Sequence, residues 1–396
     1  MIKKSQRLIA ILLLITLSLW ANKKLILAEG NLWKPLLAPN LIKHYKMINK
    51  LPFSGFVMVG ESFTKEVMHG EVELEYKKVW SELKGLKGLY RDKEIFLQIN
   101  IDFPADFWDD KGWSCVYHNF EVVAKVAKEL NFKGIVFDDE PYSKRAEKMS
   151  NFKFPARSEI RATSKRWEIK GSEKEWVDKR AYRNPSYNFK EHMAKVTLRF
   201  KEIMQKMLKV YPELTLLVYN GPSFAHVNSN RKDIIVTDVG LAREHEYKGA
   251  IFLGFKEGLE ENATLYDMGE SYRYRTNQHF KHAYEWRKFD IARASSNRVD
   301  SAYQWSIPKL EQPSWSSDVN IGFMVFNKGQ KSNYQEFNTQ KKATLKDIEK
   351  TLKKALYYSD GYVIYYCQDQ DWLLPNQAHP LQKGWREMID SLELSN

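Results

Sequence analysis

Lys133-Gly134-Ile135-Val136-Phe137-Asp138-Asp139-Glu140-Pro141-Tyr142 is a short apolar run that ends in three carboxylates and a proline. Gly134–Phe137 reads as a strand buried on both faces, the kind that a parallel sheet covered by helices requires. Side chains alternate along a strand, so Asp138 and Glu140 leave on one face and Asp139 on the other. If Val136 faces the inside of a barrel, Asp138 and Glu140 rise into its mouth. Two carboxyl groups ~7 Å apart raise each other's pKa by repulsion, which suits a proton donor working near neutral pH. The plainer alternative is a polar strand end with Asp139 capping the next helix.

Similar runs lie on both sides. Gly55–Val59 (GFVMV) and Glu94–Asn100 (EIFLQIN) read as strands, and Asn119–Leu130 carries Phe120, Val123, Ala124, Ala127 and Leu130 at helical spacing. Asn188 and Glu191 form a capping box for a helix through Met193, Val196, Phe200, Ile203, Met204 and Met207. Leu214–Tyr219 follows as a strand, then shorter runs at Ala250–Leu253, Thr264–Tyr266 and Ile321–Phe326. A last helix with Leu345, Ile348, Leu352, Ala355 and Leu356 precedes Tyr362–Tyr366 (YVIYY). Strand–helix alternation implies a parallel sheet. Seven or eight such units over roughly 340 residues, with no linker or repeat, predict one (β/α)8 TIM-type barrel. The barrel is placed at 51–396, after a lead-in at 22–50, with a basic insertion at about 143–187. An open doubly wound sheet is the alternative, but neither GxGxxG nor a P-loop occurs.

At the N-terminus, Lys3, Lys4 and Arg7 precede an apolar run from Leu8 to Trp20, followed by Ala21. A basic segment followed by ~7–15 apolar residues is the pattern of a secretory signal, here 1–21, with an uncleaved anchor as the alternative. Export to the periplasm or beyond is the expectation. It makes Cys115 and Cys367 eligible to pair, though two buried thiols are the favoured reading. Cleavage removes three positive charges and takes the net charge from +12 to +9. From Ser143 to Asn188 there are thirteen Lys and Arg against six Asp and Glu. That excess reads either as a solvated insertion or as an attraction for acidic polysaccharide or a membrane surface. Nothing resembles an RNA-binding signature, so no nucleic-acid partner is expected.

A barrel builds its active site from the C-terminal ends of its strands. The residues there are Gly60 and Glu61; Asn100 and Asp102; Asp138, Asp139 and Glu140; Tyr219 and Asn220; Asp267 and Glu270; Asn327; and Gln368, Asp369, Asp371 and Trp372. Carboxylates, amides and aromatics dominate, while His and Ser are nearly missing. Glycosidic cleavage needs two carboxyl groups, one to protonate the leaving oxygen and one to attack the sugar or activate water. No GxSxG elbow occurs. His is scarce at strand ends and no CxxC is present, so neither a metal nor any other cofactor is expected.

FKGIVFDDE resembles the fourth-strand signature of chitinase-type glycosidases, DGxDxDxE, with Asp138 and Glu140 at its last two acidic places. Lys133 and Val136 stand where that family has earlier Asp residues. The chain also resembles uncharacterised bacterial glycoside-hydrolase-like barrel proteins over most of its length. The shared segments are Pro52-Phe53-Ser54-Gly55, Phe107-Trp108-Asp109-Asp110, the DDE strand, Leu265 to Tyr274, and the closing strand ending in Trp372. In those proteins the last strand tends to end in an acidic residue, where this chain has Gln368. The resemblance implies a glycosidase-like barrel and gives no substrate.

Glu140 is assigned general acid/base, Glu270 the second carboxylate, and Asp138 the group that orients Glu140. Asp267 is the reserve nucleophile. Sugar contacts are assigned to Tyr219, Asn220, Tyr272, Trp372, Asn100 and Asp102, although rim aromatics also commonly pack under loops. A Glu140–Glu270 separation of ~5–5.5 Å predicts retention and ~6.5–9.5 Å inversion. The competing class is a non-catalytic carbohydrate-binding barrel that assists polysaccharide export or assembly. A third is another carboxylate-based enzyme on sugars, such as a lyase or a transglycosylase.

Overall fold

The computed structural model describes residues 23–29, 36–101, 106–139, 189–222, 246–269, 274–296, 306–326, 344–367 and 384–392. The strands are β1 (Lys24–Glu29), β2 (Gly55–Val59), β3 (Glu94–Asn100), β4 (Gly134–Asp138), β5 (Thr215–Val218), β6 (Thr264–Asp267), β7 (Val319–Ile321), β8 (Phe323–Phe326) and β9 (Tyr362–Cys367). All pairings are parallel, in the order β7-β6-β5-β4-β3-β2-β1-β9-β8. β7 and β8 are separated only by Gly322, so they are two halves of one strand. The first half pairs with β6 and the second with β9, which closes an eight-stranded ring. The fold is a TIM-type barrel.

The helices are α1 (Ala38–Ile48), α2 (Tyr76–Leu83), α3 (Asp110–Glu129), α4 (Phe189–Val210), α5 (Glu246–Glu257), α6 (Asn277–Glu285), α7 (Ile291–Ser296), α8 (Trp315–Asp318), α9 (Leu345–Tyr358) and α10 (Trp385–Asp390). A π-turn, Trp286–Asp290, joins α6 to α7. No helix among the described residues is long and apolar enough to cross a membrane.

Strand alternation divides the apolar residues into two cores. Ile26, Val57, Phe96, Val136, Leu217, Tyr266, Met324 and Ile364 fill the barrel. Their neighbours Leu25, Leu97, Ile135, Phe137, Leu216, Leu265, Val325 and Val363 face outward into the helix layer. There Phe137 packs edge-on against Phe255 at 5.2 Å and Phe200 at 5.6 Å. The faces expected for α4 and α9 are the buried ones, except that Leu345 at the start of α9 is only half-buried. Gly134 has a steric reason: a Cβ there would lie 1.8 Å from the Thr215 carbonyl oxygen on β5.

Two expectations are corrected. Ala250–Leu253 is not a strand but the middle of α5, whose residues Ala250 to Leu253 are all buried. The lead-in at 22–50 contains β1, which pairs with β2 and β9 and is therefore part of the ring. In addition, α3 begins at Asp110 rather than Asn119, so Trp108–Trp113 forms the approach and first turn of that helix. Cys115, half-buried on α3, and Cys367, buried at the end of β9, form no disulfide with each other. The insertion at 143–187 lies outside the described residues.

Candidate functional site

Val136 lies in the core inside the barrel, so Asp138 two residues on faces inward. By the same alternation Phe96 places Gln98 and Asn100 inside, and Leu217 places Tyr219 inside. These four polar residues meet at the C-terminal ends of β3, β4 and β5. The Gln98 amide donates to Asn100 Oδ1 at 3.1 Å and to Asp138 Oδ2 at 3.2 Å. Its carbonyl oxygen accepts from the Tyr219 hydroxyl at 3.4 Å. Asp138 is 1% exposed and Asn100 7%, so the network is nearly dry. A buried carboxylate requires donors, and Gln98 supplies one while tying three strands together. Sequence reading brought Asn100, Asp138 and Tyr219 forward but missed Gln98. The available signal was an amide inside an apolar strand, two residues before Asn100 and hence on its face.

The other strand-end residues point the opposite way. Asp139, Asn220 and Asp267 face outward, under the helix layer, and all three are 0% exposed. The Asn220 amide donates to Asp139 Oδ1. Lys248 Nζ on α5 lies 3.9 Å from the same oxygen, and the Tyr247 hydroxyl donates to the Asp139 carbonyl at 3.4 Å. Asp139 is thus held from the turn after β5 and from α5.

Arg287, on the π-turn, reaches Asp267. Its Nη1 donates to Asp267 Oδ1 at 3.2 Å and to the Asp267 carbonyl at 3.0 Å, while Nη2 donates to the Gly322 carbonyl at 2.8 Å. A single guanidinium thus joins the end of β6 to the break between β7 and β8. Burial pushes the Asp267 carboxyl up to about 6, the Arg287 charge pulls it down, and the Asp139 charge adds to the rise. Its Oδ2 accepts no hydrogen bond. The turn Asn220-Gly221 packs directly on it: Gly221 has φ +60°, and a Cβ there would come within 2.2 Å of Asp267 Oδ1. Neither Lys248 nor Arg287 was singled out from sequence, since both act on partners distant along the chain.

Of the proposed site residues, Glu140, Glu270, Tyr272, Trp372 and Asp102 lie outside the described residues. Asp138, Tyr219 and Asn100 come together inside the barrel. Asn220 and Asp267 belong to the outward cluster instead. Among the described residues, no group of three or more His, Cys, Asp or Glu is placed to hold a metal ion.

No family model matches the chain, and no curated protein matches it. Solved structures similar to it include a β-mannanase from the blue mussel Mytilus edulis, at 10% identity and TM-score 0.42, covering 94% of this chain and 92% of that one. A GH20 module of a pneumococcal exo-β-D-N-acetylglucosaminidase aligns over 96% of this chain and 83% of that one, at 9% identity and TM-score 0.39. A 3-keto-D-glucoside 4-epimerase from E. coli aligns over 93% of this chain and 98% of that one, also at 9% and 0.39. Glycoside hydrolases thus stand among the structural neighbours, at scores too low to assign an activity.

Proposed function

We propose that the protein is an exported glycoside hydrolase that cleaves a cell-envelope, capsular or extracellular polysaccharide. Export is to the periplasm or outside the cell, with 1–21 removed or retained as an anchor. The observation that carries the reading is the inward carboxylate of Asp138 at the C-terminal end of β4, bound to Gln98 beside Asn100 and Tyr219. Barrel enzymes build their chemistry at that end of the strands. In the proposed reaction Glu140 gives its proton to the glycosidic oxygen as the C–O bond breaks. A second carboxylate, assigned to Glu270, either attacks the anomeric carbon or takes a proton from the water that does. Asp138 orients Glu140 and favours its protonated form by like-charge repulsion. Asn100 and Tyr219 contact the sugar.

The alternative is a non-catalytic barrel that binds carbohydrate. The nearly dry network that holds Asp138, Asn100 and Tyr219 together is equally suited to fixing a sugar-binding surface. Reducing-end release from a panel of neutral and acidic polysaccharides separates the two. The wild-type chain should release ends, and Glu140→Gln should slow release by about 10²–10⁴-fold while binding persists. Asp138→Asn should lower the rate and shift the pH profile. Binding without release by the wild-type chain, unchanged by Glu140→Gln, would establish the binder. An unsaturated, ultraviolet-absorbing product would establish a lyase.

A further inference from the structure

On the outer wall, α9 and the start of α6 border an open groove of about 610 Å³, lined by Asn277, Lys350, Lys353, Lys354, Tyr357 and Tyr358. Its size lies within the range of small-ligand sites, about 300–1,000 Å³. α9 ends at Tyr358 and β9 starts at Tyr362, so the tyrosines sit toward the N-terminal end of the strands, opposite the Asp138 mouth. The other face of α9 buries Ile348, Leu352, Ala355 and Leu356, which fixes the helix and therefore the groove.

The charges in this groove are unevenly balanced. Lys353 pairs with Glu349 at 2.7 Å. Lys354 donates to the Arg275 carbonyl at 2.7 Å, a neutral partner that also ties α9 to the chain entering α6. Among the described residues no carboxylate lies at ion-pair distance from Lys350 or Lys354. Next to them Tyr357 is 58% exposed, while its ring packs edge-on against Tyr358 at 4.8 Å. Lys350 adds to the hold that Thr344 chiefly has on the Asp347 carboxyl, which is kept below its ordinary value. Yet the groove is lined by three lysines and no carboxylate, and an exposed ring beside that excess suits one ligand chemistry. The apolar face of a sugar packs on the ring, and a carboxylate, sulfate or phosphate on that sugar meets the lysines. A protein partner would need a larger apolar centre than one tyrosine offers.

We propose that this groove is a second, non-catalytic site for an anionic polysaccharide, independent of the barrel mouth. It holds an acidic polymer against the outer wall whether or not the mouth performs hydrolysis.

The test is affinity electrophoresis of the full chain in gels containing polygalacturonate or neutral dextran, beside co-sedimentation with phosphatidylglycerol vesicles. Polygalacturonate should retard the wild-type chain and dextran should not. Lys350→Ala and Tyr357→Ala alter exposed side chains, and unchanged melting temperatures confirm that both variants fold. Each should weaken retardation about two- to fivefold, whereas Tyr357→Phe should preserve it. Retardation should fall as salt rises from about 50 to 300 mM, where screening shortens the reach of the lysines. Asp138→Asn should leave it unchanged while lowering any hydrolysis, so the two sites fail separately. Retardation that survives Lys350→Ala and Tyr357→Ala overturns the proposal. So does equal retardation in dextran, loss only in Asp138→Asn, or vesicle binding without polygalacturonate binding.

Discussion

Replacing Arg287 with Met should strip the counter-charge from a carboxylate that has no access to water. Asp267 is 0% exposed and Arg287 2%, and three hydrogen bonds from the guanidinium are lost together. Removing one partner of a buried ion pair costs about 3–5 kcal/mol, because the remaining charge stays uncompensated. The size of that penalty depends on pH. Already in the intact protein the Asp267 carboxyl sits at about 6, against an ordinary 3.8. A carboxyl raised in this way keeps its proton longer in the folded chain than in the unfolded one. Its contribution to stability is complete below pH ~3.8 and is lost as pH rises through ~6, a span worth about 3 kcal/mol. Without Arg287 the carboxyl rises further, so near pH 5 it is neutral and near pH 8 it is a bare buried charge. Arg287→Met should therefore cost about 3–5 kcal/mol at pH ~8 and clearly less at pH ~5. Adding Asp267→Asn should recover most of the loss at the higher pH. Urea denaturation followed by tryptophan fluorescence at both pH values measures it. A loss below about 1 kcal/mol at both, or an equal loss at both, would refute this account of the pair.

Two other substitutions probe the supports of the strand ends. Gly221→Ala places a methyl group within 2.2 Å of Asp267 Oδ1 at a φ of +60°. It should cost about 2–4 kcal/mol in a thermal or urea melt, and a wild-type melting curve would show that the turn can shift. Phe137→Ala empties the centre of a ring cluster with Phe120, Phe200 and Phe255. It should cost about 3–5 kcal/mol and Phe137→Leu distinctly less, while near-equal effects would mean that the helix layer collapses into the space.

The strands that were legible from sequence are those bounded by turn residues and long enough to show a period. Gly55–Val59 and Glu94–Asn100 match their observed limits residue for residue. Ala250–Leu253 misled because a short, fully buried apolar run has the same composition in a strand and in a helix; α5 is buried on several sides. β1 was hidden by its setting, since it follows directly on an apolar leader that masks its beginning. The candidate site shows a different limit. Collecting residues that follow each strand mixes two faces, and parity alone separates Tyr219 from Asn220 or Asp138 from Asp139. On the DDE strand parity assigns Val136 and Asp138 to the inner face, and they share it. The same rule sends Asp267 outward, because it stands between Tyr266 and Met268, both inside the barrel. Its pairing with Arg287 is a tertiary contact between segments with no shared pattern.

The ring's closure also sets a schedule for its assembly. Lys24 on β1 pairs with Tyr362 on β9, so the first of the described strands waits for the last of them. At a synthesis rate of about 5–20 residues per second that wait is roughly 20–70 s. Any sheet formed before then has a free margin at β1, whose unpaired backbone groups can template the wrong neighbour. The strand broken at Gly322 cannot end the wait alone, because only its second half reaches β9. Whatever forms earlier, the ring cannot close until β9 has been made and has met β1.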